Sequence, residues 1–302
     1  MREPTYPGAV PPERTHGLDS FGVLLRLSEW GDPQAPPVVL CHGMFDHGRG
    51  FDLLAPRLAE RFRVIAIDAR GHGDSAWVDA YTWVTDVMDI VNVLRSLGRP
   101  AHLVGHSKGG GQATDAAVRA PDLVRKLVNI DGFGPPPEGF EIPGVARDQR
   151  TTPERFADFL ASRRHSASRN GLRAYATLDD LADRRRAQNP RLSREWLRYF
   201  AFHGARETPR GWVWKADLRA ARGFGPWKPD WIGPGWRGLR APMLAVVGSE
   251  PDSWGPLPEA IIGPRLAHVE RLSRARVPDA GHFVHMEQPE ATAALLLEYL
   301  DP

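Results

Sequence analysis

Gly105-His106-Ser107-Lys108-Gly109-Gly110 stands between an apolar run at 101–104 and a stretch at 110–120 whose apolar residues recur at helical spacing. A serine flanked by glycines at such a junction predicts a sharp strand-to-helix turn, because backbone segments packed that closely leave no room for side chains at the flanking positions. The turn would aim the Ser107 hydroxyl over the end of a sheet and set helix-start N–H groups beside it, where negative charge is stabilised. A chain built around this turn needs a buried strand before it and a covering helix after it.

The rest of the chain repeats that alternation. Short apolar runs at 23–27, 38–41, 64–67, 103–104 and 127–130 read as strands, the last four too apolar on both faces for anything but central positions. Stretches at 55–61, 82–97 and 110–120 read as covering helices, with Val87, Ile90, Val91, Leu94 and Leu97 marking one apolar stripe. The expectation is an α/β fold, a mostly parallel sheet with helices on both faces. Gly132-Phe133-Gly134-Pro135-Pro136-Pro137 breaks the pattern. From there to 240 the composition turns to Arg, Trp, Asp and Gly, with helices expected at 153–163, 178–187 and 193–202. Alternation resumes with strands at 243–247 and 271–277 and helices at 258–265 and 289–300. The division expected is a loose N-terminal arm at 1–20, a core at 21–134 and 241–302, and an inserted helical cap at 135–240.

Composition excludes several functions. A formal charge of +2 over 302 residues, with only four lysines and dispersed arginines, argues against a nucleic-acid partner. No apolar stretch approaches the roughly 20 residues needed to cross a bilayer, and the proline-rich start has no apolar signal core. Cys41, the one cysteine, lies in an apolar run and has no internal partner, which fits a reducing cytoplasm. Neither a nucleotide loop nor metal-ligand spacing is found, so no cofactor and no metal are expected.

The motifs together resemble the α/β-hydrolase family, and the resemblance covers most of the chain outside the cap. Besides the serine turn, His42-Gly43-Met44-Phe45 is similar to the family's oxyanion-hole segment, Asp68 to Ser75 to its D-x-R-G-x-G-x-S turn, and Ala280-Gly281-His282-Phe283 to the loop presenting its histidine. The resemblance implies Ser107 as nucleophile and His282 as base, with His285 its nearest rival. It also implies oxyanion donors in the backbone N–H groups of Met44 and Lys108. Serine rather than aspartate at the turn disfavours epoxide hydrolase and dehalogenase chemistry. For the acid, the family pattern would place aspartate where Gly248-Ser249-Glu250-Pro251-Asp252 carries proline, so Asp252 is expected first, with Asp131 and Glu250 as alternatives.

The activity implied is cofactor-free cleavage of carboxylic esters or similar acyl compounds through an acyl-enzyme. Thioester, carbon–carbon or perhydrolase chemistry stands as an alternative on the same triad, and a non-catalytic receptor as one of another class. Six of the ten tryptophans fall at 196–236, and both docking and pocket-roofing roles are open for them. His42, Phe45, His106, Trp212 and Trp214 are candidate substrate contacts, and a small apolar or aromatic acyl compound is the expected partner. The Lys108 ammonium is expected in solvent at the helix start, with contact to an anionic substrate group as the lesser reading.

Overall fold

The computed structural model describes residues 3–137, 153–154, 156–158, 160–161, 173–221, 229–252 and 255–301. Eight strands form one sheet: β1 (Arg14–Ser20), β2 (Val23–Trp30), β3 (Pro37–Cys41), β4 (Arg63–Asp68), β5 (Ala101–His106), β6 (Val124–Ile130), β9 (Met243–Gly248) and β10 (Leu272–Val277). Their spatial order is β1-β2-β4-β3-β5-β6-β9-β10. The first two pairings, β1 with β2 and β2 with β4, are antiparallel, and every pairing from β4 to β10 is parallel. The four doubly apolar runs are β3, β4, β5 and β6, four adjacent strands in the middle of the sheet, as their composition requires.

Both faces of the sheet are buried, which explains why those strands read as continuous apolar runs rather than alternating ones. Val39 and Cys41 of β3 face a layer formed by α2 (Trp83–Ser96), α3 (Lys108–Arg119) and α7 (Glu259–Leu266). Val38 and Leu40 face the opposite layer, where α1 (Ala55–Leu58) and α8 (Pro289–Leu300) pack. Thr82 starts α2 as a capping box with Thr85, satisfying N–H groups that the helix cannot.

Between β6 and β9 the chain adds α4 (Leu178–Arg186), α5 (Arg194–Gly204), the antiparallel hairpin β7 (Ala205–Thr208) with β8 (Gly211–Trp214), and α6 (Ile232–Gly235). The described residues of 153–161 are also helical. Their own cores are aromatic: Trp196, Tyr199 and Phe200 against Phe283 and Met286, and Leu178, Leu181 and Ala201 against Trp212. None of the described helices is long and apolar enough to cross a membrane.

Three differences from the sequence reading stand out. The expected loose arm contains β1, and its remainder is docked: Val10 donates to Asp52, Trp30 donates to Val10, and Tyr6 lies edge-on to Trp196. Ile232, Trp236 and Leu239 join the core under the sheet, so sheet-side packing resumes near 232 rather than at 241. The β7–β8 hairpin has no counterpart in the sequence reading, because four-residue strands carry too little periodicity to register. Trp227 lies outside the described residues, as does the end of the helix expected at 153–163.

Candidate active site

Ser107 is the turn between β5 and α3, at φ 53° and ψ −123°, a strained conformation for a residue with a side chain. The turn is held from both sides. Ser107 donates its N–H to Ile130 O of the neighbouring strand at 2.9 Å, and its own carbonyl accepts from Gly110 at 2.9 Å and Gly111 at 3.1 Å. Gly105 and Gly109 are required by contact: a Cβ on Gly105 would overlap the backbone of Gly109, and one on Gly109 would overlap the carbonyls of Cys41 and His42. The start of α3 is thereby pressed onto the end of β3, where the loop carrying Met44 begins.

Asp131 follows β6 directly, one strand over from Ser107. Its φ of 47° lies in the left-handed region that aspartate tolerates better than most residues, and its N–H donates to Val246 O at 2.8 Å. The side chain of Asn129 fixes the same corner, accepting from Gly132 N at 2.8 Å and donating to Thr114 at 2.9 Å. From this corner the Asp131 carboxylate reaches His282, with Oδ2 2.6 Å from Nδ1.

His282 sits on the loop after β10 and is buried. Because Nδ1 faces a carboxylate it carries the proton, and Nε2 is left as an acceptor. Burial pulls its pKa down, but the hydrogen bond and charge of Asp131, with smaller contributions from Asp252 and Asp46, outweigh that and raise it above the ordinary imidazole value. Asp252, the acid expected first, instead accepts from the backbone N–H of His282 at 2.9 Å and from Gly255 N–H at 3.1 Å. It positions the loop and touches no ring nitrogen. The Glu250 carboxylate accepts from the adjacent Ser249 hydroxyl. Of the three carboxylates expected, it is Asp131, at the end of the earlier core strand, that meets the ring.

Three further histidines near this site are buried. His106 Nε2 donates to His282 O at 3.0 Å, with the two rings 4.7 Å apart, and burial holds its pKa well below the usual value. His42 donates from Nδ1 to Gly43 O at 2.7 Å and accepts at Nε2 from Ala69 N–H at 3.0 Å, so both ring nitrogens are committed to backbone. His285 is buried with its pKa pushed down to about 3, its ring 4.5 Å from that of His106.

A family model described as "Alpha/beta hydrolase family" matches residues 38–295. The chain belongs to the alpha/beta hydrolase family. Among its relatives, a 2-(acetamidomethylene)succinate hydrolase of Mesorhizobium japonicum is 29% identical, covering 94% of each chain. Esterase Rv0045c of Mycobacterium tuberculosis is 30% identical, over 90% of this chain and 85% of the esterase. Among solved structures, the thioesterase domain from the curacin biosynthetic pathway superposes with a TM-score of 0.78 at 23% identity, covering 94% of this chain and 99% of that domain, a likeness of fold. Hydrolases and esterases among the relatives support hydrolase activity for this member of the family.

Two sequence expectations change against this alpha/beta hydrolase frame. Lys108 is paired within the protein: its ammonium donates to Asp86 Oδ2 at 2.8 Å, an oxygen that also accepts from Gln112 at 2.7 Å, which anchors the first turn of α3. Trp212 is 5% exposed and belongs to the core of the insertion, its backbone paired with Tyr175 at 2.8 Å. Trp214 packs at the edge of both aromatic clusters of the insertion. Trp212 therefore fills the interior of the insertion, while Trp214 keeps part of its surface exposed. Phe45 stays half-buried at φ 60°, and Met44 beside it is 40% exposed.

Proposed function

We propose that this chain hydrolyses small-molecule carboxylic esters through an acyl-enzyme on Ser107, with His282 as base, Asp131 as the carboxylate that orients it, and the N–H groups of Met44 and Lys108 as the oxyanion hole. The observation that carries the reading is the 2.6 Å contact of Asp131 with His282 Nδ1, at a corner hydrogen-bonded to the serine turn. A serine hydroxyl is a weak nucleophile at neutral pH and needs a neighbouring base, and this contact leaves His282 Nε2 free to act as one.

The chemistry follows in balanced steps. Nε2 takes the Ser107 proton as Oγ bonds to the ester carbonyl carbon, and the carbonyl oxygen gathers negative charge against the two N–H groups. The intermediate collapses with cleavage of the acyl C–O bond, and the alcohol leaves carrying the proton from His282. Water then gives its proton to His282 as it adds to the acyl carbon, and the second intermediate releases the carboxylic acid and restores Ser107. The esterase among the relatives supports an ester as substrate. The burial of Trp212 inside the insertion weighs against its forming an apolar roof over Ser107.

The test is turnover of a panel of acyl esters, thioesters and diketones by wild type and Ser107→Ala. Ester hydrolysis lost by about 10⁴-fold or more in the variant supports the reading. Ester turnover unaffected by the substitution would overturn it.

A further inference from the structure

Arg185 belongs to the insertion, yet its guanidinium is buried against the loop after β3. It pairs with Asp46 Oδ1, donates to Phe45 O at 3.4 Å, and lies over the rings of Phe200 at 5.1 Å and Phe283 at 5.8 Å. Asp46 is also buried, and its N–H donates to Gly43 O at 3.2 Å, closing a turn with Met44 and Phe45 at its tip. Phe45 holds φ 60° in that turn, a conformation an aromatic residue adopts only when its surroundings impose it. Asp46 Oδ2 makes no hydrogen bond among the described residues and lies 3.8 Å from His106 Nδ1, with Gly43 beside both.

We propose that Arg185 is a positioning residue, a clasp from the insertion that holds the 43–46 turn in the shape that aims the Met44 N–H at the oxyanion. This inference rests on the assignment of Met44 as an oxyanion donor. A planar guanidinium can grip the Asp46 carboxylate and the Phe45 carbonyl at once, as a lysine ammonium in the same place would not. Without it, a buried carboxylate would stand uncompensated beside His106, and the turn would move to bring Asp46 to water. Half of the oxyanion hole would then depend on the docking of the insertion. Because the oxyanion exists in the transition state and not in the bound ester, loss of the clasp should lower kcat and leave KM nearly unchanged.

The experiment compares wild type, Arg185→Met, Arg185→Lys and Asp46→Asn, using an acyl ester with active sites counted by a fluorophosphonate. Hydrogen exchange of the peptide spanning 43–46 is measured on the same proteins. The expected results are kcat per labelled site down about 10- to 100-fold in Arg185→Met with KM within about threefold, partial recovery in Arg185→Lys, and a smaller loss in Asp46→Asn. Exchange at 43–46 should rise in Arg185→Met. Wild-type kcat per labelled site, or unchanged exchange, would overturn the clasp, as would a rise in KM alone. Failure of the wild type to turn over the ester or to label at Ser107 would instead count against the active-site assignment. Exchange at 43–46 reports on the clasp independently of turnover, and Asp46→Asn tests it should Arg185→Met fold poorly.

Discussion

Asp131 Oδ2 lies 2.6 Å from His282 Nδ1, and Asp252 Oδ2 lies 2.9 Å from the backbone nitrogen of the same histidine. Two carboxylates thus hold one residue, and one of them touches the ring. Asp131→Asn should cost on the order of 10⁴ in kcat, because an amide in place of the carboxylate favours the wrong imidazole tautomer. Asp252→Asn should cost about tenfold or less, since it weakens the loop and leaves the ring contact intact. Steady-state kinetics of the two variants decide the ranking, and the reverse order would return the acid to Asp252.

The pH profile carries the same information by a separate route. His282 must be neutral to take a proton, so activity should fall as pH drops through its pKa, which the structure holds above the ordinary 6.5. In Asp131→Asn the upward pull is gone while burial remains. The midpoint of the residual kcat/KM profile should therefore move below the wild-type value. Asp252→Asn should move it in the same direction by less, because that residue acts on the ring through charge alone. A midpoint that rises in Asp131→Asn would contradict the assignment.

Gly109→Ala tests the close approach of α3 to β3. The added methyl would meet the carbonyls of Cys41 and His42, which are backbone and cannot swing aside. A stability loss of about 1–3 kcal/mol or more is expected from overpacking, with activity lost through displacement of Met44 and Lys108. Urea unfolding and ester turnover measure the two effects. A variant with wild-type stability would show that the segments can separate at little cost.

Trp212→Ala should remove about 3–5 kcal/mol from the stability of the insertion, as truncation of a buried tryptophan does, without reordering substrates. Thermal unfolding and the kcat/KM ranking of a short acyl ester, a phenyl ester and a charged ester read both effects. A changed ranking with unchanged stability would restore a pocket role to this residue.

How much was legible in the sequence depends on whether a residue's role is local. The strand at 101–104, the serine turn and the helix after it are short-range consequences of glycine placement and apolar runs, and they stand where the sequence put them. The acid was harder, because Asp131 and Asp252 both lie beyond strands next to the histidine loop. Only the tertiary path decides which carboxylate meets the ring and which meets the backbone. β1 was read as loose arm because Arg14–Ser20 is an edge strand with mostly exposed residues and little apolar signal. Arg185 lies in Arg184-Arg185-Arg186 and looked like a solvated face. Yet Leu178, Leu181, Ala182 and Arg185 share one helical face and are all buried, a spacing that sets Arg185 apart from its neighbours.

The proposed nucleophile is Ser107, activated by His282, which Asp131 holds in turn. The most direct measurement is mass spectrometry of the chain after brief exposure to a fluorophosphonate, with the adduct mapped by peptide. One adduct per chain is expected on the peptide containing Ser107, absent in Ser107→Ala and formed far more slowly in His282→Ala and Asp131→Asn. An adduct on another residue, or labelling of Ser107 at an undiminished rate when His282 is removed, would contradict it.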